Sequence, residues 1–271
     1  MDIHSTAIIH PNATLGKNVK IGAFSLVGAH VKLDDDVILH SHVVIEGNTH
    51  IGRATEIFPF AVIGHCPQDK KFSGELTKLQ IGSDNKIREH VTMHPGTKGG
   101  GGITQIGNNG LFMVGAHVAH DCYIGDDVIL ANNATLAGHV IIGNGVIVGG
   151  LSAIHQFVRI GDFAFIGGMS GVEKDVIPYG IVKGERASLD GLNLVGLKRR
   201  NIDREHIHAL RRVFKEIFSS TNGTLIERTI NLKGQYTQPE ACALIDFILA
   251  DTSRSICIPH ECITSSESET A

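Results

Sequence analysis

The sequence predicts an all-β fold, a parallel β-helix built from six-residue repeats, followed by a small helical domain. Two observations predict it. An apolar residue recurs at every sixth position through two long stretches of the chain, and a glycine often comes directly after it. Repetition at a fixed period is the signature of a stacked-repeat fold. The 271 residues include 32 glycines but only 7 prolines, and aromatic residues make up 5%, so we expect many tight turns around an aliphatic core.

The six-residue repeat runs in two frames. The first frame begins at Ile3 and ends at Ile63, the second begins at Ile106 and ends at Val172, and every position in both is apolar. An amphipathic helix repeats at about 3.6 residues and a simple strand at about two, so neither keeps this period. Each repeat buries one aliphatic and one small side chain. Because no repeat can cover its own apolar face, the repeats must stack.

The repeat is interrupted at two places, where we predict loops at about residues 65–78 and 95–104. In the first, continuing the frame would bury Asp69 and Glu75, and a buried unpaired carboxylate is costly. The second contains four consecutive glycines at 99–102, and the frame shifts there by one residue. Loops that project from a rigid scaffold often carry function.

The repeat stops after Val176, and helical signals follow it. Apolar residues at helical spacing predict a helix over 202–218 with Asp203 as its N-cap, and a second helix is expected near Pro239–Ala250. The sequence therefore predicts a β-helix over residues 1–185 and a C-terminal helical domain over 186–271. Its last residues, Thr264–Ala271, are polar and are expected to form a disordered tail.

The six-residue pattern resembles that of the left-handed β-helix acyltransferases, in which three repeats form one triangular coil of 18 residues. The resemblance implies a left-handed prism whose coils stack about 4.8 Å apart. It also implies a homotrimer with active sites between neighbouring prisms.

Histidine is unusually frequent, with 16 residues in the chain, and an 18-residue coil brings several of them together. Residues 18 apart stack, which places the following at one corner of three successive coils: His117, His120, Asp121, Gly138, His139, His155 and Gln156. Within this set His120, Gly138 and Gln156 share one column. Imidazoles concentrated at one outer corner indicate proton transfer or metal binding.

The pair His120-Asp121 suggests a general base with an orienting carboxylate, which fixes the tautomer of the imidazole and stabilises its protonated form. Gly138 has no side chain, so its N–H can approach a developing oxyanion. No serine or cysteine nucleophile shares these columns, and Cys122 is at a small core position, where packing is expected. Direct attack by an activated substrate hydroxyl is therefore the expected mechanism.

Four patches are more specific than the repeat: 119–122 (AHDC), 130–140 (LANNATLAGHV), 182–187 (VKGERA) and 191–200 (GLNLVGLKRR). They resemble the UDP-N-acetylglucosamine O-acyltransferase family of lipid A biosynthesis, and the resemblance covers nearly the whole chain up to about Ile258. It implies transfer of an (R)-3-hydroxyacyl group from acyl carrier protein to the 3-hydroxyl of UDP-N-acetylglucosamine. It implies no metal and no cofactor beyond the phosphopantetheine that carries the acyl group.

The resemblance also implies roles for individual residues. His120 is the general base, Asp121 orients it, and the Gly138 amide stabilises the oxyanion. Residues implied in binding the sugar, the phosphates or the acyl chain are His94, His117, His139, His155, Gln156 and, in the first loop of a neighbouring subunit, Gln68, Asp69 and Lys71. Residues implied in contacting the nucleotide, the phosphopantetheine or the carrier are Asn193, Arg199 and Arg200. Gly168 stands where the family sets acyl chain length, and its lack of a side chain implies room for a longer chain.

The chain departs from the family pattern at two positions. Many members carry an acid two residues after the asparagine, where this chain has Val195, and the departure weakens the expected nucleotide contacts. After His94 the chain has Pro95-Gly96, where the family often has Arg-Gly.

Charge and cysteine usage limit the function classes. A net charge of −4 and a pI of about 6.5 argue against nucleic-acid binding. Five cysteines without a CxxC pair indicate a reduced compartment. The chain shows no signal peptide and no apolar stretch near the ~18 residues of a membrane span, which predicts a cytoplasmic protein. One basic segment suits an acidic carrier protein, and it contains Lys198, Arg199, Arg200, Arg204, Arg211, Arg212 and Lys215.

Three other functions remain open from the sequence. The first is a zinc enzyme of the gamma carbonic anhydrase type on the same prism, with His117 and His120 as ligands. The second is a sister enzyme that acylates a sugar amine, although that enzyme usually has a domain ahead of the repeats and here they begin at Ile3. The third is a β-helix scaffold without catalytic activity, which the histidine columns disfavour.

Overall fold

The computed structural model of the protein describes residues 1–219, 222–251 and 253–260. Short strands, most of them two residues long, follow one another around a prism, and all but the last pair in parallel with the strand one coil away. In a regular coil the partners are 18 residues apart, as Ile21 and Leu39 are. The prediction of a left-handed parallel β-helix with helices at the C-terminus is confirmed.

The strands form three sheets, one on each side of the prism. The first has 11 strands: Asp2–Ile3, Lys20–Ile21, Ile38–Leu39, Glu56–Ile57, Lys86–Ile87, Leu111–Phe112, Ile129–Leu130, Ile147–Val148, Phe165–Ile166, Gly180–Lys183 and Ser188–Leu192. The second has nine: Ile8–Ile9, Leu26–Val27, Val44–Ile45, Val62–Ile63, Thr92–Met93, His117–Val118, Thr135–Leu136, Ala153–Ile154 and Gly171–Val172. The third has eight: Thr14–Leu15, Lys32–Leu33, Asn48–Ile51, Lys78–Ile81, Ile103–Ile106, Tyr123–Ile124, Ile141–Ile142 and Arg159–Ile160.

The repeated aliphatic residue of each six-residue unit points into the prism and builds its core. Ile45, Ile57 and Leu130 are fully buried, whereas Ile3 in the first coil is 40% exposed because no earlier coil covers it. Removing such a side chain from water contributes about 1.5–3 kcal/mol. The core therefore depends on stacking, as the repeat predicts.

Both predicted interruptions leave the prism at the same corner, between the second and third sheets. The first interruption follows strand Val62–Ile63, and residues stacked in adjacent coils on its two sides are 30 positions apart in the sequence. The second follows Thr92–Met93, and there the stacked residues are 25 positions apart. The second contains a single 3-10 turn at Lys98–Gly100. It ends earlier than the sequence suggests, because Ile103 and Thr104 already belong to strand Ile103–Ile106.

The helices begin later than the sequence predicts. Residues 186–192, expected in the helical domain, mostly form strand Ser188–Leu192, which pairs antiparallel with Gly180–Lys183 and so extends the first sheet. This hairpin lacks the six-residue period, so the pattern could not reveal it. The described residues after it form helices α1 (Leu194–Arg199), α2 (Arg204–Phe218), α3 (Leu225–Leu232) and α4 (Pro239–Ala250).

Helices α2 and α4 confirm the two predicted helices, and Asp203 caps α2 by accepting a hydrogen bond from the Glu205 N–H. Helices α1 and α3 were not predicted. Among the described residues no helix is both long and apolar enough to cross a bilayer. The predicted polar tail, Thr264–Ala271, lies outside the described residues.

A buried ion pair ties the C-terminal segment to the prism. The side chain of Asp175 is fully buried, and its Oδ2 lies 2.7 Å from Nε of Arg159 in the last coils. Arg254, which follows α4, approaches the other oxygen at 3.5 Å. The Asp175 backbone also pairs with the segment after Arg254, since the Cys257 N–H donates to its carbonyl. These contacts hold the end of the chain against the β-helix.

Candidate active site

The predicted histidine column is present at the corner where the two loops leave the prism. Strand His117–Val118 pairs with Thr135–Leu136, and that strand pairs with Ala153–Ile154. The turns that follow these strands therefore stack. Backbone hydrogen bonds link the three turns, from His139 to the carbonyl of His120 and from Phe157 to that of Gly138. The prediction that positions 120, 138 and 156 lie at one corner is confirmed.

His120 and Asp121 form a hydrogen-bonded pair. Nδ1 of His120 lies 2.8 Å from Oδ2 of Asp121, whose side chain is fully buried while the imidazole is 17% exposed. Asp121 has a left-handed backbone with φ 60°, a conformation that aspartate tolerates better than most residues. Because a carboxylate oxygen accepts hydrogen bonds, this contact favours the tautomer of His120 that has its proton on Nδ1 and a lone pair on Nε2. This tautomer is the one a general base requires.

The Asp121 carboxylate is also held by the second loop. Its Oδ1 accepts a hydrogen bond from the Thr97 N–H at 2.8 Å, and its Oδ2 accepts from the Thr97 hydroxyl at 2.6 Å. The Asp121 N–H in turn donates to the hydroxyl of Thr104 at 2.7 Å. The sequence prediction missed both threonines. The signal available was the run of glycines at 99–102, since glycine marks places where a backbone approaches another group closely.

Gly138 lies directly against the imidazole of His120. A Cβ at position 138 would lie 2.6 Å from Cε1 and 2.8 Å from Nε2 of that ring. In the described part of the chain the Gly138 N–H donates to no acceptor. It is therefore free to donate to an oxyanion formed beside Nε2.

Three further histidines surround the pair and are held neutral. Burial lowers the pKa of His94 to about 4, with His117 adding to the effect. Burial also lowers the pKa of His117 and of His139, in the latter against the opposing charge of Asp121. At neutral pH these imidazoles can hydrogen-bond to a substrate without adding charge to the site.

The three neutral histidines have different neighbours. The His139 ring stacks on Phe157 with centroids 4.5 Å apart and meets the His120 ring edge-on at 5.1 Å. Nδ1 of His117 lies 2.7 Å from the Thr92 hydroxyl. Nδ1 of His94 is buried without a hydrogen-bond partner among the described residues. A buried polar atom of this kind is ready to bind a ligand group.

The other residues predicted at this corner are more exposed. His155 and Gln156 are exposed, and Nδ1 of His155 approaches the Gln156 carbonyl at 3.1 Å. In the first loop Gln68 and Lys71 are exposed, while half-buried Asp69 accepts a hydrogen bond from the Lys71 N–H. Burial lowers the pKa of His139 overall, and the charge of Asp69 opposes this lowering weakly, so the first loop lies near the histidine corner of its own chain.

Four predicted residues lie away from the histidine corner of the same chain. Gly168 follows strand Phe165–Ile166 and so lies at the corner between the first and second sheets. Asn193 uses both ends of its amide within the chain, donating to the Phe163 carbonyl and accepting from the Gly196 N–H. The Arg200 guanidinium lies 3.9 Å above the Phe163 ring. Arg199, its neighbour in α1, is exposed. The structure therefore does not join these four to His120 within one chain.

Three side chains at the corner have the donor atoms of a metal site. Ligand atoms of His120, Asp121 and His139 lie within 4.8 Å of one another. However, Oδ2 of Asp121 already accepts from His120 and from the Thr97 hydroxyl, and Oδ1 accepts from the Thr97 N–H. His117 of the suggested zinc pair is engaged with Thr92. The donors therefore fit a hydrogen-bonded pair better than a metal centre.

Cys122 is fully buried among the core side chains, and burial raises the pKa of its thiol to about 12. A thiol in that state is not a nucleophile at neutral pH. This agrees with its expected packing role.

Family models match two parts of the chain. The model described as UDP-N-acetylglucosamine O-acyltransferase, domain 2, matches residues 175–257. The model for the bacterial transferase hexapeptide (six repeats) matches residues 12–47 and 103–138. The first covers the end of the prism and the helices, and the second covers coils that include His120.

Relatives of known name are similar over almost their whole length. The acyl-[acyl-carrier-protein]–UDP-N-acetylglucosamine O-acyltransferase of Rickettsia canadensis is 54% identical over 257 residues, which are 94% of this chain and 97% of the relative. The enzyme of the same name from Caulobacter vibrioides is 54% identical over 260 residues, 96% of this chain and 98% of the relative. The solved UDP-N-acetylglucosamine O-acyltransferase of Moraxella catarrhalis superposes with a TM-score of 0.89 at 41% identity, covering 94% of this chain and 99% of that one.

Proposed function

The chain belongs to the UDP-N-acetylglucosamine O-acyltransferase family, and we propose that His120 is the general base with which it performs that reaction. The reaction moves an (R)-3-hydroxyacyl group from acyl carrier protein to the 3-hydroxyl of UDP-N-acetylglucosamine, the first step of lipid A biosynthesis. One observation carries the proposal: Nδ1 of His120 lies 2.8 Å from the buried Asp121 carboxylate, which leaves Nε2 directed away from Asp121 and close to Gly138.

The proposed chemistry is one acyl transfer with no covalent enzyme intermediate. Nε2 of His120 takes the proton of the sugar hydroxyl as its oxygen attacks the thioester carbonyl, and Asp121 stabilises the resulting imidazolium. The Gly138 N–H donates to the oxyanion of the tetrahedral intermediate. When the intermediate collapses, the C–S bond breaks and the imidazolium returns its proton to the phosphopantetheine sulfur. The base is thus ready for the next cycle.

The acceptor is proposed to bind around this corner. The neutral imidazoles of His94, His117 and His139 offer hydrogen bonds to its polar groups, and the exposed side chains of His155 and Gln156 continue the same surface. Gln68, Asp69 and Lys71 in the first loop are proposed to contact the sugar and the acyl group. Support comes from the position of that loop, which leaves the prism at the same corner.

A homotrimer is proposed because the candidate residues of one chain fall at different corners. Gly168, Asn193, Arg199 and Arg200 lie away from His120 in the chain that carries them. They can take part in the same reaction only if a neighbouring prism brings them to that corner. In this arrangement Arg199 and Arg200 contact the nucleotide or phosphopantetheine, and Gly168 leaves room for the acyl tail.

The acidic carrier is proposed to dock on α2. A cavity of about 580 Å³ beside this helix is lined by apolar side chains that include Leu194 and Phe214 and by the cationic side chains of Arg211, Arg212 and Lys215. A lining that combines apolar and cationic side chains suits an acidic helical partner.

The decisive variant is His120→Ala. We expect turnover with acyl carrier protein thioester and UDP-N-acetylglucosamine to fall at least ~100-fold, in line with general-base contributions. The matched control is His30→Ala, since His30 is an exposed histidine of the same prism. Full turnover by His120→Ala would contradict the proposal. Mass spectrometry of the product formed from mixed acyl thioesters identifies the acyl length, which we expect to shorten in Gly168→Met.

A further inference from the structure

The second loop folds directly over the fully buried carboxylate of Asp121. Among the described residues, it supplies two of the three hydrogen bonds that this carboxylate accepts, both from Thr97, at 2.8 and 2.6 Å. The third comes from His120. Thr97 is itself buried, so water does not compete for these bonds.

We propose that Thr97 and Gly100 are positioning residues that set the Asp121 carboxylate, and through it the catalytic imidazole of His120. The inference rests on the proposed function, because it assigns a task only if His120 is the base. A carboxylate can rotate about its bond to Cβ, and one hydrogen bond to an imidazole does not fix that rotation. The rotation is fixed when one residue donates a hydrogen bond to each of the two oxygens, as Thr97 does with its N–H and its hydroxyl. Oδ2 is then aimed at Nδ1 of His120.

Gly100 allows the loop to come this close. A Cβ at position 100 would overlap the Asp121 carboxyl group. Gly100 does not have the left-handed backbone that favours glycine. Glycine is needed at this position because a side chain would collide with Asp121. Gly99, the preceding residue of the same 3-10 turn, has no atom within 4 Å of where a Cβ would lie. The two glycines therefore differ in whether a methyl group would disturb Asp121.

The second loop is in turn held by the first. Oε1 of Glu75 accepts a hydrogen bond from the Lys98 N–H, and its Oε2 accepts from the Ser73 N–H at 2.8 Å. The backbone donor of Ser73, with a smaller contribution from Lys98, lowers the pKa of Glu75 to about 2. Glu75 thus stays ionised and joins the loop that carries Asp69 to the loop that holds Asp121.

The first test replaces the Thr97 hydroxyl. In the full-length enzyme we expect Thr97→Val to lower kcat about tenfold or more, with KM for the UDP sugar changed less than about twofold, because only the geometry of the base is lost. Thr97→Ser, which restores the donor, should recover most of kcat. The control is Thr55→Val, which removes a buried hydroxyl bonded to Gly82 and Asn85 at another corner. It should destabilise the fold comparably and leave kcat near that of the wild type.

The second test needs no change of polarity. Gly100→Ala should lower kcat about tenfold or more, and Gly99→Ala should retain it. The inference is overturned if Thr97→Val and Gly100→Ala show the kcat of their controls while His120→Ala is inactive. If His120→Ala itself keeps full turnover, the proposed general base is wrong instead. Thermal unfolding of each variant distinguishes a loss of folded enzyme from a loss of turnover. If Thr97→Val does not fold, the comparison of kcat between Gly100→Ala and Gly99→Ala tests the inference.

Discussion

The His120 ring occupies the space that a side chain at Gly138 would need. A methyl group there would lie 2.6 Å from Cε1, well inside the contact distance of two carbon atoms. Gly138 also shows no left-handed backbone that would itself demand glycine. The requirement for glycine at position 138 therefore comes from the His120 side chain one coil away, and not from the backbone conformation at 138.

Gly138→Ala should damage catalysis more than folding. The added methyl group has to displace the His120 imidazole, because the backbone at 138 is fixed by its neighbours in the stacked turns. We expect kcat to fall at least ~10-fold, in line with the cost of a misplaced base, while the thermal midpoint stays within a few degrees of the wild type. Steady-state kinetics and thermal unfolding measure the two effects.

The control for this variant is Gly28→Ala. A Cβ at Gly28 would meet its nearest atoms at 3.4 Å, an ordinary contact. Both variants having wild-type kcat would show that His120 can move aside without loss.

The neutral burial of His94 should make stability fall in mild acid. Its folded pKa is about 4 against an ordinary 6.5, so below pH 6.5 the unfolded chain takes up a proton that the folded protein refuses. The stabilisation is complete above pH 6.5 and is lost as the pH falls toward 4, by up to about 3 kcal/mol. Thermal midpoints measured at fixed protein concentration at pH 7 and pH 4.5 test this.

In His94→Gln the thermal midpoint should fall less between pH 7 and pH 4.5 than it does in the wild type. His30→Ala, which removes an exposed histidine, should keep the wild-type drop. An equal drop in all three proteins would mean that other groups set the acid sensitivity.

Asp175→Asn should destabilise the attachment of the C-terminal segment. The change removes the charge that balances Arg159 and Arg254 around a fully buried site, and breaking a buried ion pair on one side typically costs about 3–5 kcal/mol. The exposed pair Lys183–Asp190 offers a comparison, because Asp190→Asn should cost about 0–1 kcal/mol. Thermal midpoints of the two variants should therefore differ clearly, and equal values would contradict a central role of Asp175.

Removal of divalent metal should leave turnover unchanged. The Asp121 oxygens that a metal would need already accept three hydrogen bonds within the described part of the chain, two from Thr97 and one from His120. Assays before and after dialysis against a chelator, with the metal content measured in both samples, test this expectation. A loss of activity that stoichiometric zinc restores would favour the zinc-enzyme alternative.

The six-residue period predicted the histidine corner because the arrangement of that corner is set almost entirely by the register of the stacked coils. Once Ile106 and Val172 are joined by an unbroken frame, the stacking of positions 120, 138 and 156 follows from counting. The period also predicted where the two loops leave, because Asp69 and Glu75 would occupy core positions in the first and the frame shifts by one residue across the second.

Contacts that depend on the course of a loop could not be predicted in this way. Thr97 reaches Asp121 because of how the glycine-rich segment folds back, and no periodic signal describes that path. Strand Ser188–Leu192 was missed for a related reason, because antiparallel pairing within a hairpin leaves no six-residue signature. The short helix α3 depends on a capping box at Thr224 and Glu227 and on packing against other helices.

The regular spacing of the coils also restricts how this protein can change in length. One complete coil of 18 residues could be inserted or deleted among the first coils, and every later side chain would stay on the same side of the prism. An insertion of any other length has to form a loop outside the prism, because otherwise it would move all later residues to a different side. Both loops of this chain leave the prism at the corner that carries His120, so the extra residues lie beside the proposed active site.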